Sequence, residues 1–111
     1  ATGASFADGL AAAPAAAQVD APLLLTDHGA LPASVRAEIV RLQPSVIVVL
    51  GGESAVSRRV ATELATLAPT VRRDSGADRY DTARQIALNN FPAGATTTAY
   101  LANGGNFPDA L

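Results

Sequence analysis

Apolar and polar positions change period several times along this chain. Residues 21–26 (APLLLT) and 46–50 (VIVVL) are short, almost unbroken apolar runs, the pattern of strands buried on both faces. Between them Val35, Ile39 and Leu42 recur at helical spacing, while Arg36, Glu38 and Arg41 fall elsewhere around the wheel. This predicts an amphipathic helix over 32–43, with Pro32 in its first position and Pro44 beyond its end. A second stripe, Val56, Val60, Leu64 and Leu67, predicts a helix capped by Ser54 or Ser57 and closed before Pro69. Residues 6–19 (FADGLAAAPAAAQV) read as an Ala-dense helix with Ser5 as N-cap, Asp8 in its electropositive first turn, and a kink or restart at Pro14. Residues 70–74 (TVRRD) read as a strand nearer an edge than the β-branched run at 46–50. In 76–83 (GADRYDTA) a turn enters a helix whose first amides Asp78 caps, and Ala83, Ile86, Ala87 and Asn90 continue one face up to Phe91 and Pro92. Residues 96–101 (TTTAYL) supply a last strand, 103–106 a loop, and Phe107 the start of a further helix. Strands alternating with helices predict an α/β fold: a Rossmann-like or flavodoxin-like three-layer sandwich on a mostly parallel sheet of about four strands.

The two ends of the chain repeat one another. At an offset of 101, ATGASFADGL (1–10) meets ANGGNFPDAL (102–111) with identities at Ala1/Ala102, Gly3/Gly104, Phe6/Phe107, Asp8/Asp109 and Leu10/Leu111. The chain is read as about one period of a larger repeat, a single unit over 1–111 whose residues 102–111 begin the next. The helix at Phe6 then lacks its preceding strand, while 96–101 is a strand whose following helix is cut short. The expectation is a circularly permuted sheet in which 96–101 supplies the missing strand, and the Phe6 helix outcompetes the shorter copy at 104–111. Insertion of 96–101 into a neighbouring molecule would instead be exchange between chains.

Composition narrows the chemistry. The 111 residues are 49% hydrophobic and 16% charged, suited to one folded core. There is no Cys, so disulfides and thiolate metal sites are excluded, and all eight basic residues are Arg, which removes Schiff-base and Walker-lysine chemistry. A net charge of −2 argues against nucleic acid as the main partner, and no apolar run is long enough to insert in a membrane.

Taken together the motifs resemble the cell wall binding repeat type 2 family of Gram-positive surface proteins. The resemblance rests on GADRYDTA (76–83), FADGL (6–10) and FPDAL (107–111), PLLLT (22–26), LPASV (31–35) and VIVVLGGESAVS (46–57), and it covers essentially the whole chain. A family repeat is usually counted from its GADRY segment, so this chain is out of phase with it. The resemblance implies a secreted, non-catalytic module at the cell surface that anchors its parent protein to anionic wall polymer, teichoic-acid-like or polysaccharide. It also implies that the module works with tandem sister repeats and needs no cofactor or metal.

Ligands of doubly wound sheets bind at the carboxyl ends of the strands. The polar loops expected there nominate Leu24, Leu25, Thr26 and Asp27 after one strand, Gly51 and Gly52 after the next, and Asp78 and Arg79 at the following helix start. The repeated Asp8 and Asp109, with Asn106, complete the candidate ligand-binding set. Gly51-Gly52 before a helix resembles a phosphate cradle, although no complete nucleotide fingerprint is present. Arg79 can fork onto a carboxylate such as Asp8 or Asp109, or meet an anionic sugar or phosphate; the bracing pair is the first reading. Catalytic residues are not nominated: the stretch from Gly52 to Val56 has Val where a nucleophile elbow needs its second Gly, and His28 is the sole histidine. The alternative function is a small Rossmann-like enzyme domain binding a nucleotide or phosphosugar, motivated by the strand, Gly-Gly, helix order at 46–57.

Overall fold

A computed structural model of the chain describes residues 1–4 and 6–105. Among them the order is α1 (Ala7–Gln18), α2 (Ala33–Leu42), β1 (Val46–Leu50), α3 (Arg58–Leu64), β2 (Thr70–Asp74) and α4 (Arg79–Asn90). β1 and β2 pair in parallel, Val46 opposite Thr70 and Leu50 opposite Asp74. Alternation along β1 sends its side chains to two separate layers. Ile47 and Val49 pack with Ile39, Val56, Val60 and Leu64 on the side of α2 and α3. Val48 and Leu50 pack with Ala12 and Ile86 on the side of α1 and α4. The strand is apolar throughout because both of its faces are covered.

The helix ends follow local chemistry. Ser57, not Ser54, caps α3, its Oγ accepting from the Val60 amide at 3.4 Å. Asp78 caps α4 as expected, Oδ1 accepting from the Asp81 amide at 2.8 Å. Pro32 sits at the N-cap of α2 rather than inside it, and Gln43, with φ +50°, ends that helix before Pro44. α1 runs through Pro14 without a restart. Pro14 lies on the exposed side of α1. The cap expected from Ser5 lies outside the described residues.

The sheet of about four strands is not formed: two strands pair among the described residues. Residues 21–26 make a single parallel bridge, Thr26 with Thr2, since the short stretch 1–3 is all that lies beside them to form a ladder. Residues 96–101 form no strand and are exposed throughout, Tyr100 at 95% and Leu101 at 98%. Their β-branched composition favours an extended ladder only where a partner edge meets it, and here none does. The permuted closure within one molecule is therefore corrected. A cavity of about 460 Å³ is lined by all of β1, by Arg72 and Asp74 of β2, and by residues of α1, α2 and the 19–26 segment.

Candidate functional site

A polar cavity of about 350 Å³ lies at the carboxyl ends of β1 and β2, where the first turns of α1 and α4 converge. Asp8, His28, Gly52, Ser54, Asp78 and Arg79 line it, with Thr2 and Thr82. The topology places it where a parallel sheet leaves its strand ends and helix starts exposed to a ligand.

Each of these residues is held by local structure. The turn after β1 begins at Gly51, whose φ is +88°. Its amide donates to Asp74 O at 2.9 Å, and Gly52 O accepts from the amides of Ala55 and Val56, each at 3.0 Å. Gly51-Gly52 opens a turn in which the Gly51, Ala55 and Val56 amides are used internally, and α3 starts only at Arg58. Asp8 abuts the Gly51 backbone so closely that an added Cβ would run into its carboxylate.

The GADRY segment reads clearly in atomic terms. Asp78 caps α4, while Asp81 reaches back and its Oδ2 accepts from the Ala77 amide at 3.1 Å. Thr82 Oγ1 accepts from the Gly76 amide at 3.0 Å. A Cβ on Gly76 would stand 2.5 Å from the carbonyl carbon of Asp81, which is backbone and cannot turn aside. Gly76→Ala is accordingly expected to cost about 1–3 kcal/mol, read as a lower urea midpoint with unchanged slope. The hydrogen bond from Arg84, and then that from Ala77, holds the Asp81 carboxyl below its ordinary range. Because its folded value is the lower one, the stabilisation is complete above the unfolded carboxylate range and fades as pH falls through the folded value. Asp81→Asn should remove this component of acid unfolding, visible as a flatter stability profile below about pH 4.

The expected pairing of Arg79 with Asp8 is not present; no ion pair joins them among the described residues. Arg79 is exposed and its Nη1 donates to Gly104 O at 2.8 Å, because Asp8 is turned toward Gly51 and the 103–105 turn comes closer. Thr26 is buried and structural: its hydroxyl donates toward Asp27 O and Ala30 O, both at 3.2 Å. Leu24 packs against the α2 and α3 layer and Leu25 is half exposed, so neither lines the polar cavity, nor does the exposed Asp27. Asn106 and Asp109 lie outside the described residues. Sequence reasoning did not nominate Thr2 or Thr82 as lining residues. Thr82 lies within the GADRYDTA segment, and it is the convergence of α1 and α4 that brings both hydroxyls to the cavity.

Among the described residues no group of three or more His, Cys, Asp or Glu could hold a metal ion, and no helix is long and apolar enough to cross a membrane.

Comparison with known proteins places this geometry. The family description "Cell wall binding domain 2 (CWB2)" matches in two stretches, residues 1–61 and 73–111. The N-acetylmuramoyl-L-alanine amidase LytC of Bacillus subtilis is 36% identical over 108 residues, covering 97% of this chain and 21% of that protein. The amidase enhancer of the same organism is 31% identical over 106 residues, covering 96% of this chain and 14% of the relative. The chain thus spans a small part of the curated relatives it matches. Among solved structures, Cwp6 from Clostridium difficile aligns with a TM-score of 0.74 at 35% identity, covering 79% of this chain and 14% of that one. Cwp8 from the same organism aligns at 0.69 with 41% identity, covering 74% and 15%. The chain belongs to the cell wall binding domain 2 family and is a cell wall binding module of secreted, wall-associated surface proteins.

Proposed function

We propose that this module holds its parent protein to the wall by binding an anionic wall polymer at the polar cavity, without catalysing a reaction, and beside sister units of the same protein. The family match over 1–61 and 73–111 carries the wall-binding part of the reading. The location rests on chemistry: Arg79 is the exposed guanidinium at the cavity, and it can fork onto a phosphate or carboxylate of the polymer. Asp8 and Asp78 can accept from sugar hydroxyls, and Ser54 and His28 add polar contacts. With a net charge of −2 the chain draws a polyanion locally and not through its overall field. One unit binds weakly, and linkage in tandem raises retention through effective concentration. The small nucleotide-binding enzyme finds no support.

The test is retention of the tandem protein on purified Gram-positive walls, before and after removal of anionic polymer. Arg79→Ala is expected to weaken retention about tenfold, the loss of one charge-assisted contact, with little change in melting temperature. Retention that is unaffected both by polymer removal and by this substitution would sink the proposal.

A further inference from the structure

The turn that receives Arg79 is Asn103-Gly104-Gly105, outside every helix and strand. Asparagine followed by glycine is the pair in which the next backbone nitrogen most readily reaches the side-chain carbonyl. Glycine has no Cβ to shield that nitrogen or to restrict the backbone as it turns. Several observations prepare Asn103 for this attack. It is exposed, so water and hydroxide reach it. Gly104 N donates to no acceptor among the described residues. Gly105 N donates to Asn103 Oδ1 at 2.9 Å, the oxygen on which negative charge develops once the side-chain carbonyl is attacked. Arg79 acts from the far side of the same peptide unit: its Nη1 donates to Gly104 O at 2.8 Å and so polarises the N–H that holds Oδ1.

The other described asparagines are held differently. Asn89 and Asn90 lie in α4, Asn89 Nδ2 donating to Asp74 Oδ1 and Asn90 Oδ1 accepting from Arg72, each at 2.9 Å. Phe91 N, the nitrogen that would attack Asn90, donates to Ala87 O at 2.9 Å. The Asp8-Gly9 pair lies within α1, where side chains lean toward the helix N-terminus and away from the following nitrogen.

The geometry points to Asn103 as a site of spontaneous, water-driven deamidation whose isoaspartate product detaches Arg79 from the 103–105 turn. Gly104 N bonds to Asn103 Cγ, the Cγ–Nδ2 bond breaks, and Nδ2 leaves as ammonia with the Gly104 proton. Water then opens the cyclic imide at one of its two carbonyls; the bond from that carbon to Gly104 N breaks, and the nitrogen takes back a proton. Opening at the side-chain carbonyl gives aspartate. Opening at the main-chain carbonyl gives isoaspartate, whose backbone runs through Cβ and Cγ and is one carbon longer before Gly104. The net change is amide plus water to carboxylate plus ammonia, with no redox step. The turn is closely seated: a Cβ on Gly104 would stand 2.6 Å from Tyr80 Cε1, and the Gly104 carbonyl is fixed on Arg79. A longer backbone at this point shifts the turn and withdraws Gly104 O from the guanidinium. The setting of Arg79 in the polar cavity thus changes although Asn103 does not line that cavity. The inference concerns a modification and stands independently of polymer binding.

The test is incubation of the chain in warm, mildly alkaline buffer, with fragment-ion mass spectrometry and isoaspartate detection. Asn103 is expected to convert about tenfold or more faster than Asn89 or Asn90, where attack waits for α4 to open. Asn103→Gln, whose longer side chain would have to close a larger ring, should suppress the reaction at this position. Nuclear magnetic resonance of the Arg79 guanidinium should show its signal moving as the native chain converts and staying fixed in the Asn103→Gln chain aged alongside it. Conversion no faster at Asn103 than at Asn89 or Asn90 overturns the inference, and so does an Arg79 signal unmoved by full conversion to isoaspartate.

Discussion

Gly51→Val is expected to destabilise the module by about 3 kcal/mol and to disorder the polar cavity with it. Gly51 has φ +88°, a region that a β-branched residue enters only with strain. Space is also lacking: an added Cβ would lie 2.9 Å from Ala55 Cβ and collide with the Asp8 carboxylate. Relief requires that Asp8 swing out or that the turn open, and both lead to the site, because Asp8 and Ala55 line its wall. Gly94 separates the two contributions. Its φ is +79° but nothing lies within 4 Å of a Cβ there, so Gly94→Val carries the backbone cost alone, about 1–2 kcal/mol. Urea unfolding of both variants should show the larger shift at Gly51, and only that variant should lose wall retention under conditions where both remain folded. Equal shifts would mean that the close approach of Asp8 contributes nothing.

The elements that were legible in the sequence are those whose signal is local or periodic. Val46–Leu50 reads as a strand covered on both faces, and each face is indeed covered by a helix pair. Asp78 reads as a cap because capping needs only its own neighbours in sequence. The segments 21–26 and 96–101 carry strand composition as strong as that of β2, yet strand formation is a property of pairs. With 1–3 as partner the first makes one bridge, and without an edge the second makes none. The candidate site divides in the same way. Asp8, Gly52, Asp78 and Arg79 meet at one cavity because repeat and turn motifs mark helix starts, and helix starts gather at the carboxyl ends of a parallel sheet. Leu24 and Leu25 belong to the packed strand segment rather than to its polar end, and Arg79 takes a carbonyl partner from the 103–105 turn that no spacing rule anticipates.

Arg73 is the residue whose role was least legible, and Arg73→Met carries the second large expected effect. Two adjacent arginines in TVRRD suggest a solvated edge, but alternation sends them to opposite faces with different tasks. Arg72 donates to Asn90 Oδ1 at 2.9 Å and lies 3.5 Å from Asp74, whose carboxylate is 2% exposed and also accepts from Asn89. Arg73 turns to the other side and bridges the two ends of the 51–56 turn, Nη1 donating to Gly51 O at 2.6 Å and Nη2 to Val56 O at 2.9 Å. Gly51 and Val56 are both buried, so removing the guanidinium strands two carbonyls away from water. Methionine retains most of the aliphatic stem while deleting both donors, and the expected cost is about 2–3 kcal/mol in urea unfolding. Lysine keeps the charge but not the fork; reaching one carbonyl at a time, Arg73→Lys should recover about half of that loss. Because Gly51→Val opens the same turn, the double variant with Arg73→Met should fall short of additivity by about 1 kcal/mol. Strict additivity would show that the guanidinium and the glycine stabilise separate parts of the chain. A shortfall would show that they close one turn, the one that carries Gly52 and Ser54 into the cavity wall.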